Sequence, residues 1–130
     1  MFTLEEVKVA HSKVKSGADF PNYIQEIIQL GVEAYDVFVA DGHAVYFGKN
    51  NFKISSQAKY EILNIAPEVA LQTFKTGLKE HQQGKSDYLT FCKLAADCGV
   101  EKWTLDMQKM TCTYFDKKGN ELLVEIVPSV

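Results

Sequence analysis

The chain contains no arginine. All 14 of its basic residues are lysine, against 17 acidic ones, for a formal net charge of −3. Arginine is the planar fork that suits phosphate, carboxylate and guanine. Its absence, together with the acidic balance, excludes nucleic acid as the expected main partner. No run of residues matches a nucleotide phosphate loop or a dinucleotide-binding turn. No apolar stretch approaches the roughly 20 residues that a membrane-spanning helix needs. The first residues, Met1 to Glu6, lack the basic start and long apolar core of a signal peptide. Cysteine is sparse and odd in number, at Cys92, Cys98 and Cys112. A secreted disulfide framework does not fit, and a reducing cytoplasm is the expected compartment. No Cys-x-x-Cys pair or other metal-ligand spacing occurs, so neither zinc nor any other cofactor is expected.

What is present is a repeat. Shifted by 68 positions, residues 19–51 fall on residues 87–119 without a gap. Asp19 meets Asp87, Gly31-Val32-Glu33 meets Gly99-Val100-Glu101, Tyr46-Phe47 meets Tyr114-Phe115, and Lys49 meets Lys117. Aromatics also land on aromatics: Phe20 on Tyr88, Tyr23 on Phe91, Tyr35 on Trp103. Internal repeats are read before any other pattern, because they decide architecture. Each half is near 65 residues, too small to bury much surface alone, so the halves should share one core. The 130 residues are therefore expected to form one domain, with repeat 1 at about 1–55, repeat 2 at about 66–130, and a joint over 55–66.

Local patterns supply the unit. Thr3-Leu4-Glu5-Glu6 has the form of a capping box, and Leu4, Val7, Ala10, His11 and Val14 follow at helical spacing. Gly17 can stop that helix. Asp19 can cap the next, with Pro21 in its first turn and Tyr23, Ile24, Ile27, Ile28 and Leu30 as its apolar stripe. Gly31 then has the place of a left-handed C-terminal stop. The period switches to two: Tyr35, Val37 and Val39 oppose Ala34, Asp36 and Phe38. Asp41-Gly42 signals a hairpin, and strands follow over 43–48 and 52–55. The second half repeats the plan. Pro67 is expected to open a helix carrying Val69, Ala70, Phe74 and Leu78, and Ser86 or Asp87 to cap the next. Gly99 stops that helix as Gly31 stopped its twin. Trp103, Leu105 and Met107, then Met110, Cys112 and Tyr114, then Leu122, Val124 and Ile126 mark three strands. The expected fold is α+β: a duplicated helix-helix-three-strand unit, pseudo-two-fold, with antiparallel sheets and helices packed on one face.

The second half also carries motifs: His81-Gln82-x-Gly84-x-Ser86-Asp87-Tyr88-x-x-Phe91-Cys92, Cys98-Gly99-Val100-x-Lys102-Trp103, Met110-Thr111-Cys112-Thr113-Tyr114 and Glu125-x-x-Pro128. With these the chain resembles a family of bacterial proteins of about this length, classed as a domain of unknown function. Some of its members are labelled phage envelope protein. The resemblance implies a small bacterial single-domain protein and supplies no catalytic residue.

Candidate site residues come from differences between the halves. Trp103 replaces Tyr35, Cys112 replaces Ala44, and His81 stands where the first half has Lys13. His81, Asp87, Trp103 and Cys112 are the expected ligand-binding group, in a seam between packed elements. In an enzyme, His81 would serve as base, oriented by Asp87. The bland readings are a capping histidine, an N-cap aspartate and a core aromatic. No serine nucleophile elbow occurs. His11 is expected at the core or seam, and His43 in solvent. The function expected is a non-enzymatic binding or interaction module, pairing with itself, an unidentified protein or a small ligand; the alternative is a small-molecule enzyme with its site near His81 and Asp87.

Overall fold

The computed structural model describes residues 2–15 and 19–128. Four helices and six strands follow one another as α1 (Leu4–His11), α2 (Phe20–Leu30), β1 (Ala34–Phe38), β2 (Ala44–Phe47), β3 (Lys53–Ser55), α3 (Leu71–Gln82), α4 (Tyr88–Asp97), β4 (Val100–Asp106), β5 (Thr111–Asp116) and β6 (Glu121–Ile126). A short 3₁₀ turn, Lys49–Asn51, lies between β2 and β3. The strands form one antiparallel sheet in the order β3-β2-β1-β4-β5-β6. The fold is thus α+β, and the two halves join at the β1–β4 pair. Among the described residues no helix is long and apolar enough to cross a membrane.

Several backbone features recur 68 residues apart. Left-handed residues recur at that spacing: Gly31 and Gly99, Gly42 and Met110, Asn51 and Gly119. So do loop hydrogen bonds. Val39 N donates to Glu101 O and Met107 N to Glu33 O, both at 3.0 Å. The β1–β4 register places Asp36 opposite Thr104, a pair 68 residues apart. Exchanging the halves would map this pair onto itself.

Each element follows from its sequence. Thr3 and Glu6 form the capping box of α1, with Thr3 N donating to Glu6 Oε1 at 2.9 Å and Glu6 N to Thr3 Oγ1 at 3.2 Å. The Gly17 stop expected after α1 lies outside the described residues. Asp19 occupies the N-cap position of α2 but does not cap it; its carboxylate accepts from Lys15 N at 2.9 Å. Helix α2 buries Tyr23, Ile24 and Ile27 and ends at Gly31, φ +111°. Full burial of Ile24 and Ile27 contributes about 1.5–3 kcal/mol each before entropy is counted. The alternation of β1 puts Tyr35 and Val37 under the helices and leaves Asp36 and Phe38 on the outer face. Phe2, Tyr23, Tyr35, Tyr46, Phe74, Phe91, Trp103, Leu105 and Tyr114 belong to one core cluster.

Two expectations change. Pro67 does not open α3, which begins at Leu71. The preceding segment is tied to the end of α4 instead: Ala66 N and Ala70 N donate to Ala96 O and Cys98 O at 2.9 and 3.0 Å. Val69 and Ala70 therefore lie outside the helix. In β6, Val124 and Ile126 point outward and are exposed, while Leu123 and Glu125 share the inner rows with Tyr114 and Cys112.

Candidate functional site

The second-half site is built by the turn between α3 and α4. His81 lies in the last turn of α3, where the helix dipole favours a basic residue. Gly84, φ +79°, reverses the chain so that Ser86 returns to the histidine. The ring Nδ1 of His81 lies 3.1 Å from the Ser86 carbonyl oxygen and 3.2 Å from Ser86 Oγ. A carbonyl only accepts, so Nδ1 carries the proton and Nε2 is the accepting nitrogen of the neutral ring. The ring stacks on Phe91 with centroids 4.6 Å apart and planes 10° apart. Phe91 continues to Trp103 at 5.7 Å, Trp103 to Tyr114 at 6.0 Å, and Tyr114 to Phe74 at 5.1 Å.

Beneath this aromatic chain, the sheet register sets Leu105, Cys112 and Glu125 in one row. Tyr114 O–H donates to Glu125 Oε1 at 3.2 Å, and Gln82 Nε2 donates to the same oxygen at 3.0 Å. A half-buried carboxylate on an edge strand thus ties β6 to β5 and to the end of α3. Burial pushes the Cys112 thiol up to about 12; Glu125 adds to the shift and the Tyr114 hydroxyl opposes it. The thiol therefore stays protonated at neutral pH and is no nucleophile.

His81, Trp103 and Cys112 are accordingly linked, through Phe91 and Tyr114. Asp87 belongs to the same turn but accepts from Thr90 N at 2.7 Å as the N-cap of α4. That hydrogen bond is the main reason its carboxyl lies below the ordinary carboxylate range. It does not orient His81, whose ring nitrogen is held by Ser86. Glu125, Gln82 and Tyr114 are the polar residues that the sequence reading of the site missed. Glu125 is flanked by Val124 and Ile126, and an inner face of Leu122, Val124 and Ile126 hides it; its place in the Glu-x-x-Pro motif was the available signal.

Tyrosines of α2, β1 and β2 form a second aromatic group in the core. Tyr23 of α2, Tyr35 of β1 and Tyr46 of β2 are all buried, and the Tyr35 and Tyr46 rings lie 5.2 Å apart. His11 is exposed, not buried in the seam, and meets Tyr23 edge-on at 5.2 Å. From the joint, Tyr60 O–H donates to Val39 O at 2.6 Å. Cys92 of α4 is fully buried. Burial raises the Cys92 thiol and Tyr23, Tyr35, Tyr46, Tyr60 and Tyr114 above their ordinary values.

On the outer face, His43 is not a free solvent residue. Its Nδ1 lies 2.6 Å from Asp41 Oδ1, and its ring stacks on Phe38 at 4.5 Å and 4°. Lys102 lies over both Phe38 and Phe115, 5.8 and 5.3 Å from their centroids.

A family model described as a protein of unknown function (DUF1398) matches residues 8–126. The chain belongs to the DUF1398 family. Comparison with curated proteins gives no match. In this DUF1398 protein all three cysteines are buried and none forms a disulfide. Burial raises Cys98 as well, so all three thiols are held in the protonated form. Among the described residues no three His, Cys, Asp or Glu side chains are grouped to hold a metal ion.

Proposed function

We propose that this DUF1398 protein is a binding module that takes a small ligand at the open end of α3, against Glu125, without covalent chemistry of its own. One observation carries the reading. Both intramolecular donors, Gln82 and Tyr114, meet Oε1 of Glu125. A carboxylate offers about four acceptor positions, so Oε2 is left to a donor from outside. The neighbouring His81–Phe91–Trp103 chain offers flat apolar surface. A ligand with an ammonium or amide head and an aromatic body matches both features.

The protonated thiols, and the Ser86 contact that holds His81, favour binding over catalysis. An enzyme site at His81 and Asp87 has less support, because Thr90 N occupies the carboxylate that would orient the base. We read the chain as a single domain of two related units, about 1–55 and 66–130. Three unpaired thiols suit a reducing compartment such as the cytoplasm. The phage envelope label of some similar proteins fits an interaction protein and adds no chemistry.

Trp103 is the only tryptophan and lies in the aromatic chain, so its fluorescence reports the site. Titration with phenethylamine should change that fluorescence, and Glu125→Gln should abolish the change while leaving the melting temperature near that of the parent. An unchanged signal at millimolar amine, together with native mass spectra showing only bare chain, would remove this reading.

A further inference from the structure

The second helix pair carries a groove of about 440 Å³ between α3 and α4. Its base is apolar. Gly77 lets α4 come close, since a Cβ added there would lie 1.8 Å from Leu94 Cδ2. Leu94 and the ring of Phe91 line the space beside it. Glu80 and Lys85 line the same groove, one from the last turns of α3 and one from the turn that follows.

Backbone geometry fixes these two charged residues. Gly84, φ +79°, ends α3 in a Schellman turn: Lys85 N donates to Glu80 O and Gly84 N to His81 O, both at 3.0 Å. The two side chains that such a turn brings together are commonly apolar and in contact. Here they are a carboxylate and an ammonium. Among the described residues they form no ion pair with each other or with any other side chain. Both charges are left to a ligand in the groove.

The groove of the first helix pair is built differently. It is lined by Glu5, Glu6 and Glu26 and by no lysine. Its Glu6 is held in the capping box, and its Glu26 is paired with Lys13 at 3.2 Å. It offers nothing to a carboxylate. Of the two grooves, the second alone presents both signs of charge.

We propose that the α3–α4 groove binds a free α-amino acid with an apolar side chain. Its ammonium meets Glu80, its carboxylate meets Lys85, and its side chain lies on Leu94 and Phe91. A simple cation would satisfy Glu80 and leave Lys85 unmatched; a simple anion would do the reverse. A zwitterion satisfies both, and its short span suits two residues fixed at one turn. The volume is that of a small-molecule pocket. Both charged side chains are exposed, so each contact contributes modestly and the affinity is about millimolar. The groove shares Phe91 with the ligand reading above but not Glu125, and the proposal stands without that reading.

Titration of the whole chain with L-leucine, followed by amide magnetic resonance, tests this. The amides of Gly77, Lys85, Ser86 and Thr90 should shift and saturate, while those of Val9 and Gln29 in the first groove stay in place. N-acetyl-leucine lacks the ammonium and leucinamide lacks the carboxylate. Each should bind about threefold to fivefold more weakly than leucine, the loss of one exposed ion pair. Glu80→Gln should remove the difference between leucine and N-acetyl-leucine, and Lys85→Gln the difference between leucine and leucinamide. A general loss of fold would not produce that crossed pattern. Glu125→Gln should leave leucine binding unchanged. Groove amides that do not move at about 50 mM leucine, far above the Kd of even a weak specific site, overturn the proposal. So do shifts that both groove variants leave intact, or that Glu125→Gln abolishes.

Discussion

Gly31 and Gly99 hold equivalent places, each ending a helix in the left-handed region, yet alanine should not cost the same at both. At Gly31, φ +111°, an added Cβ would meet only Phe2 Cδ2, at 3.7 Å, an ordinary contact. The cost there is the left-handed strain alone, about 1 kcal/mol. At Gly99, φ +83°, the same atom would lie 2.6 Å from Glu68 O and 3.2 Å from Val69 Cα. Those are backbone atoms and cannot rotate away. The 66–70 segment must shift, which loosens the bonds from Ala66 N to Ala96 O and from Ala70 N to Cys98 O. Each such bond contributes about 1 kcal/mol net. Gly99→Ala should therefore cost about 3 kcal/mol, a large share of the roughly 5–15 kcal/mol that holds a domain of this size.

Urea unfolding of the two variants measures this directly. Gly31→Ala is expected to lower the midpoint slightly, and Gly99→Ala far more, at unchanged slope. Amide exchange should speed up at Ala66 and Ala70 in the second variant only. If the two variants agree within about 0.5 kcal/mol, below the loss expected from even one of these hydrogen bonds, then the close approach of the 66–70 segment to Gly99 is not what distinguishes the two sites.

Alkaline pH should unfold the protein early. Burial raises Tyr23, Tyr35, Tyr46, Tyr60 and Tyr114 above 10.0 and Cys112 from 9.0 to about 12, so the folded chain retains protons that the unfolded chain releases. That stability is complete below about pH 9 and falls as pH rises toward the folded values; a melting temperature that stays flat to pH 11 would contradict it. At Asp87 the sign is opposite. Its folded pKa is lowered from 3.8, first by the Thr90 N–H, so its contribution is present above that value and lost as pH falls through the folded one. Asp87→Ala should melt lower than the parent at pH 7 and converge with it in strong acid, and Asp87→Ser should recover most of the difference; equal melting at pH 7 would refute the capping role.

The α+β class, the element order and the two glycine stops were legible in the sequence, because period and punctuation are local signals. The capping box at Thr3 and Glu6 is of the same kind. What stayed hidden depends on long-range partners. Pro67 is sound helix chemistry, but the carbonyls of Ala96 and Cys98 claim Ala66 N and Ala70 N first. His43 is as polar as any turn residue until Asp41 and Phe38 fold around it. Glu125 was obscured because an apolar run on an edge strand supports either choice of inner face. Of the candidate site, the linked placement of His81, Trp103 and Cys112 was anticipated from the asymmetry of the halves. The residues that join them, Phe91 and Tyr114, were read as part of a helix stripe and of a strand face.

That asymmetry has a physical root at the β1–β4 join. Residues related by the offset of 68 normally sit far apart, each in its own half. Near the join they approach, and the register sets Asp36 and Thr104 face to face. In a chain with identical halves this position would oppose a residue to its own copy. Two aspartates there would repel across a distance that favours contact, and two threonines would leave Lys102 without its acceptor. Asp36 and Thr104 are complementary instead. Thr104 O–H donates to Asp36 Oδ1 at 2.6 Å, and Lys102 Nζ lies 3.8 Å from Asp36 Oδ2. Lys102 in turn lies over Phe38 and Phe115. Asp36 and Thr104 thus satisfy each other across the join as two identical residues would not, between strands that carry different inner chemistry, Tyr35 on β1 and Trp103 on β4.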